Sequence, residues 1–130
     1  MLRSEVMKFE IPGKLPGMNE IIAAAKAGKG KYQPYALMKE QYTYEVALIA
    51  RKLPRYGRVA LTITWHEPNG RRDPDNIMGG QKFILDGLVK AGVIQDDGQK
   101  YIESITHRFE VDRKNPRVEV EIEEVEGLKC

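Results

Sequence analysis

The residues of this chain best suited to chemistry lie in two acidic clusters, Arg71-Arg72-Asp73-Pro74-Asp75-Asn76 and Gln95-Asp96-Asp97-Gly98. Alternate side chains of an extended segment share one side. Asp73 and Asp75 are therefore expected to point their carboxylates the same way, with Pro74 favouring the extended form by fixing its own φ and restricting Asp73. Unpaired carboxylates this close repel one another, and a hard divalent cation bound through oxygen offsets that repulsion. With 2 His and 1 Cys in the chain, a zinc site is disfavoured, and carboxylate ligation points to Mg²⁺ or Mn²⁺. An EF-hand is excluded, because Ile77 and Met78 stand where its next ligand and its turn glycine belong. Each acid also has a plainer reading. Asp-Pro-Asp-Asn is good helix N-cap and turn chemistry, and Asp96-Asp97-Gly98 is a good tight turn.

Between the clusters runs a segment with helical periodicity. At ~100° per residue, Gly79, Lys82, Asp86 and Lys90 fall on the same side as Asp75, while Ile77, Ile84, Leu85, Leu88 and Val89 gather opposite. Lys82 thus faces the acids. It is either the i, i+4 ion-pair partner of Asp86 or a cation placed to stabilise charge on a phosphate during its displacement. A helix running unbroken from Asp75 to Ala91 would hold its ends about 24 Å apart, too far for Asp75 and Asp97 to share an ion. If Gly79-Gly80 delays the helix, the span falls to about 16 Å, which extended residues 92–97 can retrace. We expect that arrangement within one chain; the alternative is Asp97 arriving from a second subunit.

The elements that must position these groups are readable around them. Residues 6–11 alternate as a short strand ended by Pro12-Gly13. The next stretch, with Pro16-Gly17, a cap at Asn19, a short Ala-rich turn and then Lys26, Lys29 and Lys31, reads as a mobile basic loop. A helix is predicted from Pro34 to about Leu53, its apolar stripe formed by Met38, Tyr42, Val46, Ile49 and Leu53. Val59, Leu61, Ile63 and Trp65 alternate as a half-buried strand, and a second helix spans Gln81 to Ala91, closed by Gly92. The last part reads as a hairpin, with Ile105, His107, Phe109 and Val111 on one arm, Val118, Val120 and Ile122 on the other, and Asn115-Pro116 in the turn. The expected fold is α+β: one domain over residues 1–130, with about four strands in a mixed sheet and two main helices. His66 and His107 fall on strands and read as structural or surface residues rather than bases.

Composition narrows the classes further. Hydrophobic residues at 42% and charged residues at 31% mark an ordinary folded chain. No apolar run approaches a membrane span, and Met1 to Glu5 leads into no secretory h-region, so a cytoplasmic, nucleoid-associated protein is expected. Cys130 cannot make an intrachain disulfide. Net charge is only +2, but residues 1–72 carry 13 Lys/Arg against 6 Asp/Glu, and residues 73–130 carry 8 against 13. That asymmetry suits a protein that grips phosphate with one surface and collects cations on another, or it is solvated surface charge.

At these residues the chain resembles the RusA family of crossover junction endodeoxyribonucleases of bacteria and their prophages. The resemblance rests on Arg-Arg-Asp-Pro-Asp-Asn at 71–76, then Lys82 and Asp86, then Leu-Val-Lys-Ala-Gly-Val-Ile at 88–94 and Asp96-Asp97, with weaker likeness reaching back to Pro16-Gly17-Met18-Asn19. It implies that Asp73, Asp75 and Asp97 bind Mg²⁺ or Mn²⁺, that Lys82 is the required helix lysine, and that a homodimer of mixed α/β fold resolves Holliday junctions by paired nicks. The segment before Lys82 is slightly longer here than the family's pattern, by nearly one helical turn, which leaves Lys82 on its face. Arg71, Arg72, Lys26, Lys29 and Lys31 are the candidates for DNA phosphate contacts. Two rivals are weighed. Asp-x-Asp also marks nucleotide-sugar transferases, which need a nucleotide-binding domain that this length and pattern do not supply. The other is a non-catalytic DNA-binding prophage accessory protein of the same fold.

Overall fold

The computed structural model describes residues 6–125; the expectations for Met1 to Glu5 and for Cys130 lie outside them. Its elements are β1 (Val6–Pro12), α1 (Met18–Lys26), α2 (Pro34–Ala50), β2 (Val59–Glu67), α3 (Pro74–Met78), α4 (Gln81–Lys90), β3 (Ile102–Val111) and β4 (Arg117–Glu124). The strands form one mixed sheet in the order β1-β4-β2-β3, with β2 and β3 parallel and the other pairs antiparallel. The expected α+β fold is therefore present.

Alternation along β2 puts Val59, Leu61, Ile63 and Trp65 on one face, all essentially inaccessible. Against that face pack Val46 and Ala50 of α2 and Phe83, Ile84 and Leu88 of α4, and the five residues of the anticipated α2 stripe all join this core. Helices cover one side of the sheet only. The other side carries Lys8 and Glu10 of β1, Thr62, Thr64 and His66 of β2, and Glu119, Glu121 and Glu123 of β4, none of them buried. Much of the acidic excess of residues 73–130 is thus the outer face of a sheet. Arg117 sits at its edge and binds Asp112 at 2.8 Å, Glu119 at 3.1 Å and Glu10 at 3.7 Å. Its hydrogen bond to Asp112 holds that carboxyl below the ordinary range.

Two expectations are corrected. β3 and β4 are consecutive in the chain but do not form a hairpin, because β2 lies between them. The reason is burial: β2 and β4 are buried on every second residue, whereas β3 is exposed over most of its length and suits an edge. The crossover that a parallel β2–β3 pair demands is supplied by α3 and α4. Second, the Ala-rich stretch before the basic segment is not a short turn. It is the nine-residue helix α1, whose N-cap is Gly17 rather than Asn19. Of the lysines expected in a mobile basic loop, Lys26 is the last residue of α1, and Lys29 and Lys31 lie in a tight turn closed by Lys29 N–H to Tyr32 O at 2.8 Å and Tyr32 N–H to Lys29 O at 2.9 Å.

Candidate active site

The first acidic cluster sits where β2 hands over to α3. Asp73 is the N-cap of α3, with extended backbone at φ −75° and ψ 154°, Pro74 opens the helix, and Asp75 lies in its first turn. Only Asp73 has the extended geometry anticipated for both acids. Asp75 has entered the first turn of the helix. The plainer reading of Asp-Pro-Asp-Asn describes the backbone, yet the Asp73 side chain makes no cap hydrogen bond and its carboxylate is left free.

α3 and α4 meet at Gly79-Gly80. The N–H groups of Gly79, Gly80, Lys82 and Phe83 donate to the carbonyls three residues back, at 3.1 to 3.4 Å, so the chain tightens into a 3₁₀ joint and does not break. The joint is fitted against α1. A Cβ on Gly79 would fall 2.5 Å from the Met18 backbone nitrogen, and one on Gly17 would fall 2.5 Å from Asn76 Oδ1. Asn76 Oδ1 also accepts the Asn19 N–H at 2.9 Å, so the last residue of the acidic motif fastens α1 to α3.

Asp97 occupies an exposed turn after the buried Val93 and Ile94, its N–H bonded to Asp96 Oδ1 at 2.8 Å. It borders a depression of about 320 Å³ together with Met78, Gly79, Gln81, Lys82 and Asp86. The return of residues 92–97 therefore brings Asp97 to the α3–α4 joint. Asp73 and Asp75 do not line this depression. Among the described residues no three His, Cys, Asp or Glu side chains stand close enough to form a ready-made metal cluster. Asp73, Asp75 and Asp97 therefore do not line one depression among the described residues: Asp75 rides on α3 while Asp97 borders the first turns of α4. The chemistry of the donors nevertheless fits a divalent cation. All three carboxylates are exposed, and none makes a hydrogen bond or ion pair with another described residue.

The cations divide by partner. Lys82 is half exposed and lies 3.7 Å from Asp86, the i, i+4 pairing foreseen for it, and Lys39 of α2 approaches the same carboxylate at 3.9 Å. Arg71 is exposed and its side chain has no ionic partner among the described residues. Arg72, expected beside it as a phosphate contact, is spent internally. Its Nε and Nη2 donate to the two oxygens of buried Glu67 at 2.8 and 2.7 Å, and its Nη1 donates to Leu15 O at 3.1 Å and Glu20 Oε1 at 3.3 Å. The hydrogen bond to Glu67 raises its already high pKa further. Lys26, Lys29 and Lys31 are exposed and unpaired among the described residues.

Sequence reasoning missed Gln81 and the use made of His107. Trp65 Nε1 donates to His107 Nδ1 at 2.9 Å, and His107 Nε2 lies 2.9 Å from Gln81 Oε1 at the start of α4. Burial lowers the His107 pKa, in keeping with a neutral ring. Nothing in periodicity marks this chain of contacts, since it joins residues from β2, β3 and α4.

The sheet is one-sided, with unpaired carboxylates at Asp73, Asp75 and Asp97 and with the unpaired lysines Lys26, Lys29 and Lys31 at the end of α1 and just after it, which defines a small α+β domain with exposed charge of both signs. The chain belongs to the RusA endodeoxyribonuclease family, whose model, described as endodeoxyribonuclease RusA, matches residues 23–123. That span contains both acidic clusters, Lys82 and Gln81. No curated protein matches the chain. Among the described residues no helix is long and apolar enough to cross a membrane.

Proposed function

We propose that this protein is a structure-selective endonuclease that resolves four-way DNA junctions by paired phosphodiester hydrolysis, with Asp73, Asp75 and Asp97 as the residues that would hold Mg²⁺ or Mn²⁺. The observation that carries this reading is Asp97 beside Lys82 in the depression at the α3–α4 joint, with Asp73 and Asp75 exposed and unpaired at the start of the α3 that leads into it, inside the segment that matches the family. A bound divalent cation supplies a more acidic water and charge compensation at phosphorus. Lys82 then stabilises charge on the phosphate, and Arg71, Lys26, Lys29 and Lys31 position the DNA backbone without reading its sequence. Glu119, Glu121 and Glu123 on the open sheet face repel phosphate, which leaves the helical side to the DNA. The same chain supplies all three acids in this reading, which is supported by Asp97 sharing its depression with Met78 and Gly79 at the end of the helix that begins beside Asp75.

A junction offers two symmetric strands, so a two-fold dimer belongs to the proposal. Its contact is assigned to the outer face of α2, where Leu37, Tyr44 and Leu48 recur at heptad spacing and are 61%, 53% and 40% exposed. This activity places the protein in recombination and repair, nucleoid-associated and in a prophage setting.

The test is nicking of a synthetic four-way junction with Mg²⁺ by wild type and Asp75→Asn, with binding measured in parallel. Wild type is expected to cut and the variant to bind without cutting. Unchanged cutting by the variant defeats the site assignment. Binding without cutting by wild type gives the non-catalytic alternative.

A further inference from the structure

Gln81 lines the depression beside Lys82 and Asp97, and the direction in which its carboxamide points is settled by a chain of hydrogen bonds that begins in the core. The indole nitrogen of Trp65 can only donate, so the His107 nitrogen 2.9 Å away must accept. The one ring hydrogen of neutral His107 then sits on Nε2 and is donated to Gln81 Oε1 at 2.9 Å. With its oxygen engaged, Gln81 keeps both amide hydrogens free, and it makes no other side-chain hydrogen bond with a described residue. Turning the amide over would set N–H against N–H. The imidazole is held on both sides of this relay, nearly coplanar with the Trp65 indole that donates to it and nearly parallel to the Phe109 ring, 6.4 Å away at 14°.

We propose that the Gln81 NH₂ group donates to a non-bridging phosphodiester oxygen of DNA in this depression, and that His107 is the positioning residue that turns it there. The inference rests on the endonuclease reading for the identity of the anion. The chain of hydrogen bonds ends on the first residue of α4, at the rim of a depression in which the half-exposed Lys82 ammonium stands 3.7 Å from Asp86, and a donor beside a cation suits an anionic oxygen.

The experiment measures the junction Kd, the kcat and KM for cutting, and the melting temperature of four variants: Gln81→Ala, Gln81→Glu, His107→Phe and His107→Gln. Gln81→Glu keeps the acceptor for His107 but replaces the donor, so it is expected to melt as wild type does while its Kd and KM rise about tenfold, the scale of one hydrogen bond to a charged group. Gln81→Ala is expected to weaken binding by a similar factor with kcat little changed. His107→Phe is expected to reproduce that loss, its combination with Gln81→Ala to be no worse than either alone, and His107→Gln, which can accept from Trp65 and donate to Gln81, to recover part of it. Wild-type Kd and KM in both Gln81 variants overturn the proposal, and these two variants decide it even if His107→Phe does not fold. Asp97→Asn separates the two claims: if it binds but does not cut while the Gln81 variants behave as wild type, the nuclease reading stands and this inference falls.

Discussion

The guanidinium of Arg72 closes on the carboxylate of Glu67 through two hydrogen bonds of 2.8 and 2.7 Å, and Glu67 is 5% exposed. The pair joins the end of β2 to the segment that opens α3, so the loop bearing Asp73 is anchored by the residue immediately before it.

Arg71 and Arg72 should therefore separate cleanly on mutation. Arg72→Ala leaves a buried carboxylate unpaired and is expected to destabilise the fold by about 3 kcal/mol in urea denaturation. Arg71→Ala should change stability by less than about 0.5 kcal/mol and instead weaken DNA binding, reducing the slope of log Kd against log salt by about one contact. Equal stability of the two variants would contradict the division.

Assembly of the three aspartates within one chain is checked by subunit mixing. Asp73→Asn and Asp97→Asn proteins are each expected to be inactive on a four-way junction, and to stay inactive after co-refolding. Recovered nicking in the mixture would show that Asp97 works from the partner subunit.

The α2 contact is checked by charge. Leu37→Asp combined with Tyr44→Asp is expected to convert a dimer into a folded monomer in sedimentation equilibrium, with far-UV circular dichroism unchanged and paired nicking lost. A dimer that survives both substitutions moves the interface elsewhere.

His107 gives stability a pH dependence whose sign follows from its environment. Burial lowers its folded pKa below the ordinary 6.5, so in the window between the two values the unfolded chain binds more protons than the folded one. The contribution is complete above pH 6.5 and is lost as pH falls through the folded value. Denaturation midpoints at pH 7.5, 6.5 and 5 should decline in that order, and the decline should be shallower in His107→Gln. A variant that declines as steeply as wild type would assign the effect to other groups.

What could be read from the residues alone follows the range of the interactions involved. α2, α4 and β2 announce themselves through local periodicity, since Met38, Tyr42 and Val46, or Val59, Leu61 and Ile63, meet the core by virtue of spacing alone. The acidic motif is equally visible as chemistry, but its backbone was a choice between two local preferences of Asp and Pro, and helix capping prevails because α3 packs against α1 through Asn76 and Gly79. Strand order is different. Alternation in β3 and β4 says which residues face inward and nothing about which strand lies alongside, and β2 is inserted between them by burial gathered from the whole chain. Likewise nothing in Arg71-Arg72 says that one guanidinium meets Glu67 and the other meets water. His107 and Gln81, 26 positions apart, come together only after the sheet and α4 have docked.

The strand order also bears on how the polypeptide matures. Among the described residues β1 pairs with β4 alone, and β2 has β4 on one flank, so the first of the four strands has no partner until the fourth is available. On a ribosome the nascent chain would hold an unsatisfied β1 and a half-covered β2 until residues 117–124 had left the exit tunnel. Such long-range closure slows folding and leaves the waiting strands open to wrong pairings. Stop codons placed anywhere ahead of Arg117 should yield insoluble fragments, however much of the acidic motif they retain.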